Sequence, residues 1–109
     1  MEFLNKIEIK GIVGRCEMTS IHETNIYHMS VVTEHCYLHS SGSPVIETMW
    51  HNVTCAETKE NGTVLSAIGK GTKVHLSGRL RMKRFIDAAG NERNSHEIIA
   101  NEIEILEEP

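Results

Sequence analysis

Between Lys73 and Phe85 the chain reads KVHLSGRLRMKRF, a stretch whose residue types could neutralise phosphates and stack on a base. In an extended backbone, successive side chains point to opposite faces. Val74, Leu76, Leu80 and Met82 then share one face, while Lys73, His75, Ser77, Arg79, Arg81, Lys83 and Phe85 share the other. Cations tracking a phosphate chain and a ring offered to a base are the two parts of a single-stranded nucleic-acid surface. The same alternation also describes a solvated edge strand studded with lysine and arginine against aggregation, and this stretch alone leaves both readings open. Gly78 interrupts the apolar parity and predicts a sharp bend or bulge there.

Other chemistry is poorly supplied. Three widely spaced cysteines (Cys16, Cys36, Cys55) contain no C-x-x-C, so neither a disulfide framework nor a thiolate zinc site is signalled. Seven histidines are many for this length, but His35, Cys36 and His39 do not make four convergent ligands, and no metal or other cofactor is expected. Nothing supplies a nucleophile, an activating base and an anion hole together, which argues against an enzyme. The formal charge of −4 argues mildly against nucleic acid, yet it hides segregation. Lys70, Lys73, Arg79, Arg81, Lys83, Arg84 and Arg93 stand against Asp87 and Glu92 in one segment, whereas Glu102, Glu104, Glu107 and Glu108 leave the end acidic.

The elements that must position these groups follow from periodicity. With 109 residues the chain has room for one modest core. No apolar run is long enough to span a bilayer and no secretory signal opens the chain, so a cytoplasmic protein away from membranes is expected. Asn5 to Gly14 reads as a strand bent at Gly11, Arg15 to Asn25 as a polar loop, and Ile26 to Thr33 as a second strand. HSSGSP, residues 39–44, is a loop, and Val45 to Ala56 a third strand that puts Trp50 on the face of Thr48, Asn52 and Thr54. That ring then faces either a ligand or a second subunit. Val64, Leu65 and Ile68 predict one short helix within Gly62 to Gly71. After the cationic strand, a turn over 87–93 leads to a last strand with Ile99, Ile103 and Ile105 on one parity. Three strands, a helix and two strands describe an all-β fold with one short helix, the five-stranded Greek-key barrel of the OB type.

Several phrases also resemble the bacterial single-stranded DNA-binding protein family. They are NKIEIKGIVGR, SVVTEHCY, ETMWHNVTC and, above all, GKGTKVHLSGRLRMKRFIDAAGNERNSHEIIANEIEIL. The resemblance covers almost the whole chain and implies one OB domain over 1–106, with 107–109 as a short acidic end. It implies a non-catalytic protein that binds single-stranded DNA in replication, recombination or repair, with Trp50, Phe85 and Tyr37 stacking on bases. Lys6, Lys70, Arg81, Lys83 and Arg84 would contact the backbone by that resemblance, and the parity argument adds Arg79. The resemblance places His51 at a subunit interface, with an ordinary half-buried histidine as the alternative. Ile7 and Ile9 are further apolar material that association could cover, in a tetramer by resemblance, with a dimer as the rival.

Departures from the family pattern weaken the expected binding. Ala56 follows ETMWHNVTC where the family has an aromatic and a glycine-lysine pair, and Asn52 stands where an arginine is common. The family's long tail with its acidic tip has no counterpart before Pro109. In these respects the chain is similar to the tailless primosomal replication accessory proteins. A module acting mainly through replication or primosome proteins is therefore the alternative function. RNA is a possible ligand beside DNA, since every base has a stacking face.

Overall fold

Alternating valine and isoleucine set against polar residues build five strands, and the computed structural model describes residues 1–107. In chain order they are β1 (Ile7–Ile21), β2 (Thr24–Leu38), β3 (Pro44–Ala56), β4 (Lys73–Ile86) and β5 (Glu92–Ile105), with α1 (Gly62–Ser66) between β3 and β4. They close in the order β1-β2-β3-β5-β4, with β1 paired to β4. Neighbours are antiparallel except β3 and β5, which run parallel over only two residue pairs. This is the five-stranded barrel with one short helix that periodicity predicted. Of the acidic end expected over 107–109, Glu108 and Pro109 lie outside the described residues.

Inside the barrel sit Val13, Met29, Val31, Val53, Cys55, Val74, Leu76, Ile98 and Ala100, and Leu65 and Ile68 close one end. The helix is shorter than the predicted span. Five residues cannot sustain a helix in water, so α1 exists because its apolar residues are buried against the barrel. Ile7 and Ile9 pack against this same core, which leaves less of them for a second subunit than their alternation implied.

The Arg15 to Asn25 segment is not a loop. It is the outer half of a β1–β2 hairpin, turned by His22 and Glu23 at φ of 50° and 65°. A two-residue turn with both residues left-handed normally uses asparagine and glycine, so His-Glu carries no turn signal. The β2–β3 and β4–β5 hairpins also extend past the barrel. Their projection explains a radius of gyration of 16.3 Å, against roughly 13 Å for a spherical domain of this length. Leu80 and Met82, expected on a buried face, fall where β4 leaves the barrel and are exposed.

One bulge sets the facing of β5. Ser77 pairs with Glu102 and Gly78 with Ala100, so Asn101 is the extra residue. Inward residues are therefore odd-numbered after the bulge (Ile103, opposite buried Leu76) and even-numbered before it (Ala100, Ile98). Ile99 thus faces away from the core, contrary to the uniform alternation expected. Gly78 permits the bulge, because a Cβ there would meet the Ile99 carbonyl oxygen and the Ala100 Cα. Asn5 extends β1's hold on β4 by side chain alone, its amide donating to the Leu80 carbonyl at 2.8 Å and its oxygen accepting from the Leu80 N–H at 3.0 Å.

On the outer surface of β1, β4 and β5, His75 lies between Glu104 at 2.9 Å and Glu8 at 3.0 Å. Hydrogen bonds to Glu104 and then Glu8 raise its pKa above the ordinary 6.5. A raised folded-state pKa stabilises the fold fully below the unfolded value, and the benefit disappears as pH climbs through the folded value. The melting temperature of the native protein should therefore exceed that of His75→Gln most at mildly acid pH, and converge on it in alkali. A pH series of thermal melts on both proteins checks this; a constant difference would show that the clasp does not depend on the proton.

Candidate nucleic-acid interface

Register fixes what shares the outer face of the barrel. Arg15, Ser30 and Asn52 form one row across β1, β2 and β3, and Glu17, His28 and Thr54 form the next. Their neighbours Cys16, Met29 and Val53 point inward, as the pleat requires. On β4 and β5 the matching face carries Arg81 beside Glu97 and Lys83 beside Ser95. A groove runs between the two halves, lined by Arg15, His28, Asn52, Thr54, Lys83 and Glu97 among others.

Trp50 belongs to this face, paired with Val32 on β2. Its ring lies over Gly14, where a Cβ would stand 2.5 and 2.7 Å from the ring carbons Cζ3 and Cη2. The indole rests on backbone on one side and is 58% exposed. A second, more apolar groove holds Trp50, Leu80 and Ile98 together with Ile7 and with Met49 and His51 from the other pleat face of β3, and it shares Asn52, His96 and Glu97 with the first, so it joins the ring to the groove that Arg15 and Lys83 line.

Phe85 stands near the far end of the β4–β5 hairpin on the pleat face of Arg81 and Lys83, 48% exposed. The turn beyond it is rigidly built. Asp87 Oδ1 accepts from the N–H groups of Ala89 (3.0 Å) and Asn91 (2.9 Å), while Oδ2 accepts from Arg93 Nε at 2.8 Å. Arg93 first, and then the Asn91 N–H, hold the Asp87 carboxyl below the usual carboxylate range. Gly90 takes φ 82°. Asp87, Gly90 and Arg93 of DAAGNER are thus a folding device that sets the strand carrying Phe85.

Tyr37 departs from the expected set. Val32 shares a face with Trp50, so Tyr37, five residues further along β2, lies on the opposite face of the β2–β3 hairpin. There it is 40% exposed and stacks with His35, ring centroids 6.1 Å apart and planes 27° apart. His51 shares this other face. Its Nε2 lies 2.8 Å from the Thr33 hydroxyl, and partial burial lowers its pKa.

The predicted cations divide. Arg81 and Lys83 flank the main groove, and Arg84 pairs loosely with Glu92 at 3.8 Å. Lys6 and Arg79 line a separate depression beside the bulge, with Leu4, Asn5 and Glu102. Lys70 is on the α1–β4 loop, which is tied to β1 by the Gly71 N–H donating to the Val13 carbonyl at 2.7 Å, next to the Gly14 that supports Trp50.

Three groove residues are not announced by periodicity. Arg15 lies in the expected polar loop but sits in β1, where Arg15, Glu17 and Thr19 alternate with Cys16 and Met18. His28 and Glu97 gave no signal. They belong to a polar chain across the barrel: His28 contacts Thr19 at 3.4 Å and Thr54 at 3.3 Å, and Thr54 donates to Glu97 Oε2 at 3.0 Å. Since the Thr54 proton goes to Glu97, His28 Nδ1 is the donor to Thr54. Among the described residues no cluster of three or more His, Cys, Asp or Glu side chains could hold a metal, and no helix is long and apolar enough to cross a membrane.

Known proteins share this architecture. The chain is 30% identical over 105 residues to the single-stranded DNA-binding protein of Neisseria meningitidis, covering 94% of this chain and 60% of that one. It is 28% identical over 101 residues to the mitochondrial single-stranded DNA-binding protein of Drosophila melanogaster, covering 92% and 69%. The chain thus spans about three fifths of the Neisseria relative's length. In structure it resembles the Plasmodium falciparum SSB in complex with ssDNA (TM-score 0.88, 18% identity, 98% of both chains). It also resembles a deletion mutant of the single-stranded DNA binding protein from Thermus aquaticus (TM-score 0.80, 18% identity, 95% of this chain and 51% of that one). Residues 4–106 match the single-strand binding protein family, and the chain belongs to that family.

Proposed function

We propose that this chain binds single-stranded DNA without catalysis, laying the strand along the depression from Trp50 to the β4–β5 hairpin. The observation that carries this reading is the Trp50 ring, seated on the Gly14 backbone and open to solvent, in the depression that Arg81 and Lys83 flank. Stacking on Trp50 and Phe85 tolerates any base, and Arg81, Lys83 and Arg15 neutralise phosphates. Tyr37 would receive a strand only after it passes round the β2–β3 hairpin. Lys70 extends the cationic path on the Trp50 side, and Lys6 and Arg79 at the bulge; Arg84, on the pleat face opposite Phe85, would meet the strand only past the end of the β4–β5 hairpin.

The test is Trp50 fluorescence titrated with a thymidine oligonucleotide at low and high salt, beside duplex DNA. Quenching by the single strand, weakened by salt and absent with duplex, is the expected result. No quenching in a folded protein would favour the protein-contact reading, which the ion-paired cations and the exposed Ala56 also support. Arg81→Ala and Lys83→Ala should each flatten the slope of log affinity against log salt by up to about 0.7, at most one phosphate each. Unchanged slopes in both would place the strand elsewhere. Self-association into a tetramer, before a dimer, is part of the proposal. His51 and the exposed Met49 beside it, at the rim of the Trp50 groove, support an interface on the far side of β3, and Ile7 and Ile9 can contribute their uncovered edges. Sedimentation of native protein and His51→Lys reads this directly: a smaller species for the variant is expected, and identical sedimentation would remove His51 from the interface.

A further inference from the structure

The groove assigned to phosphates already contains an anion. Glu97 rises from β5 between the strands, its side chain only 13% exposed, and its Oε1 lies 3.6 Å from Arg81 and 3.5 Å from Lys83. That oxygen is buried and has no hydrogen-bond donor among the described residues, so the two cations are what compensates its charge. Oε2 is fixed by the Thr54 hydroxyl at 3.0 Å. A desolvated carboxylate is costly unless paired, which makes this contact unlike the open pairs Arg84–Glu92 and Arg15–Glu17, both of whose partners are well exposed. Arg81 and Lys83 are themselves half exposed, so their outer sides face the solvent from which a phosphate would come.

We infer that Glu97 is an internal counter-anion: it occupies Arg81 and Lys83 in the free protein, and phosphates of a bound strand compete with it for them. This rests on the single-strand reading of the groove. A cation already neutralised by a protein carboxylate neutralises less phosphate charge, so fewer counterions leave the nucleic acid on binding. Glu97 therefore lowers both affinity and salt sensitivity.

Glu97→Gln tests this, because the amide oxygen can still accept from Thr54 while the charge is gone. Titration with a labelled thymidine oligonucleotide between about 50 and 200 mM salt should show tighter binding at the low end. The slope should steepen by up to about 0.7, the value of the one charge removed, so that about 2.6-fold more affinity is lost across the range. Glu60→Gln removes the same charge from an exposed turn before α1, outside the groove, and should leave the slope as it was. An unchanged or flatter slope in Glu97→Gln overturns the inference and makes Glu97 a positioning residue that holds the cations for the strand. Wild-type protein that binds no single strand overturns the functional reading instead, so the two failures are distinguishable. Should Glu97→Gln fail to fold, Glu97→Asp withdraws the carboxylate by one methylene; a slope steeper than native supports competition and an unaltered one overturns it.

Discussion

Replacing Trp50 by alanine should weaken binding of a thymidine oligonucleotide by about 5- to 150-fold, the range corresponding to one base stack of roughly 1–3 kcal/mol. The fold should survive, because the ring is 58% exposed and supports no buried residue from its open side. Trp50→Phe, which keeps a stacking face, should recover most of the loss. Gly14→Ala should resemble the alanine variant in part, since its methyl would enter the space of the indole and lift the ring from its seat. Anisotropy of a labelled oligonucleotide measures all three without using the tryptophan signal, and circular dichroism reports folding. Native affinity in Trp50→Ala would mean that the strand does not pass this ring.

The readable parts of the fold are those where one side of a strand is in the barrel. Val53 and Cys55 against Trp50, Asn52 and Thr54, or Val74 and Leu76 against Lys73 and His75, alternate because one face is buried and the other wet. Beyond the barrel that contrast vanishes. Arg15 to Ile21 is solvated on both faces for most of its length, and its turn residues His22 and Glu23 are left-handed without the residue types that announce it. The bulge at Asn101 is invisible for another reason. Its requirement falls on the partner strand, at Gly78, so the glycine was legible while its consequence for Ile98 and Ile99 was not. At the candidate site, Trp50, Phe85, Arg81 and Lys83 emerge from parity. Tyr37 falls on the other face because it shares the parity of the inward Met29 and Val31 in β2; the resemblance that suggested it carries no facing of its own. Glu97 is opaque for a different reason: a carboxylate between two cations of another strand is a relation among β3, β4 and β5 that no single segment contains.

The largest stability effect is expected at Leu65, far from any stacking ring. Leu65→Ala should lower unfolding free energy by about 2–5 kcal/mol, on the order of 10–30 °C in melting temperature for a domain this size. The residue is completely buried and belongs to a helix of five residues that has no side-chain N-cap bond and no charged residue favouring either end. Such a helix has almost no stability of its own, so Leu65 both closes the barrel and holds α1 in place. Shortening it opens a cavity beside Ile68 and releases the loop that follows. That loop reaches the site, because the Gly71 N–H binds the Val13 carbonyl next to the Gly14 beneath Trp50. Two readouts separate these effects. The melting temperature reports the cavity, whereas oligonucleotide affinity, measured well below the transition, reports whether the Gly71 contact survives. A large loss of stability with affinity within about twofold of native would show that β1 and β3 hold the Trp50 seat without α1, as their direct ladders through β2 imply. A parallel loss of affinity would make the helix part of the site's support, and a shift of only a degree or two would contradict the assignment of Leu65 to the closing layer of the core.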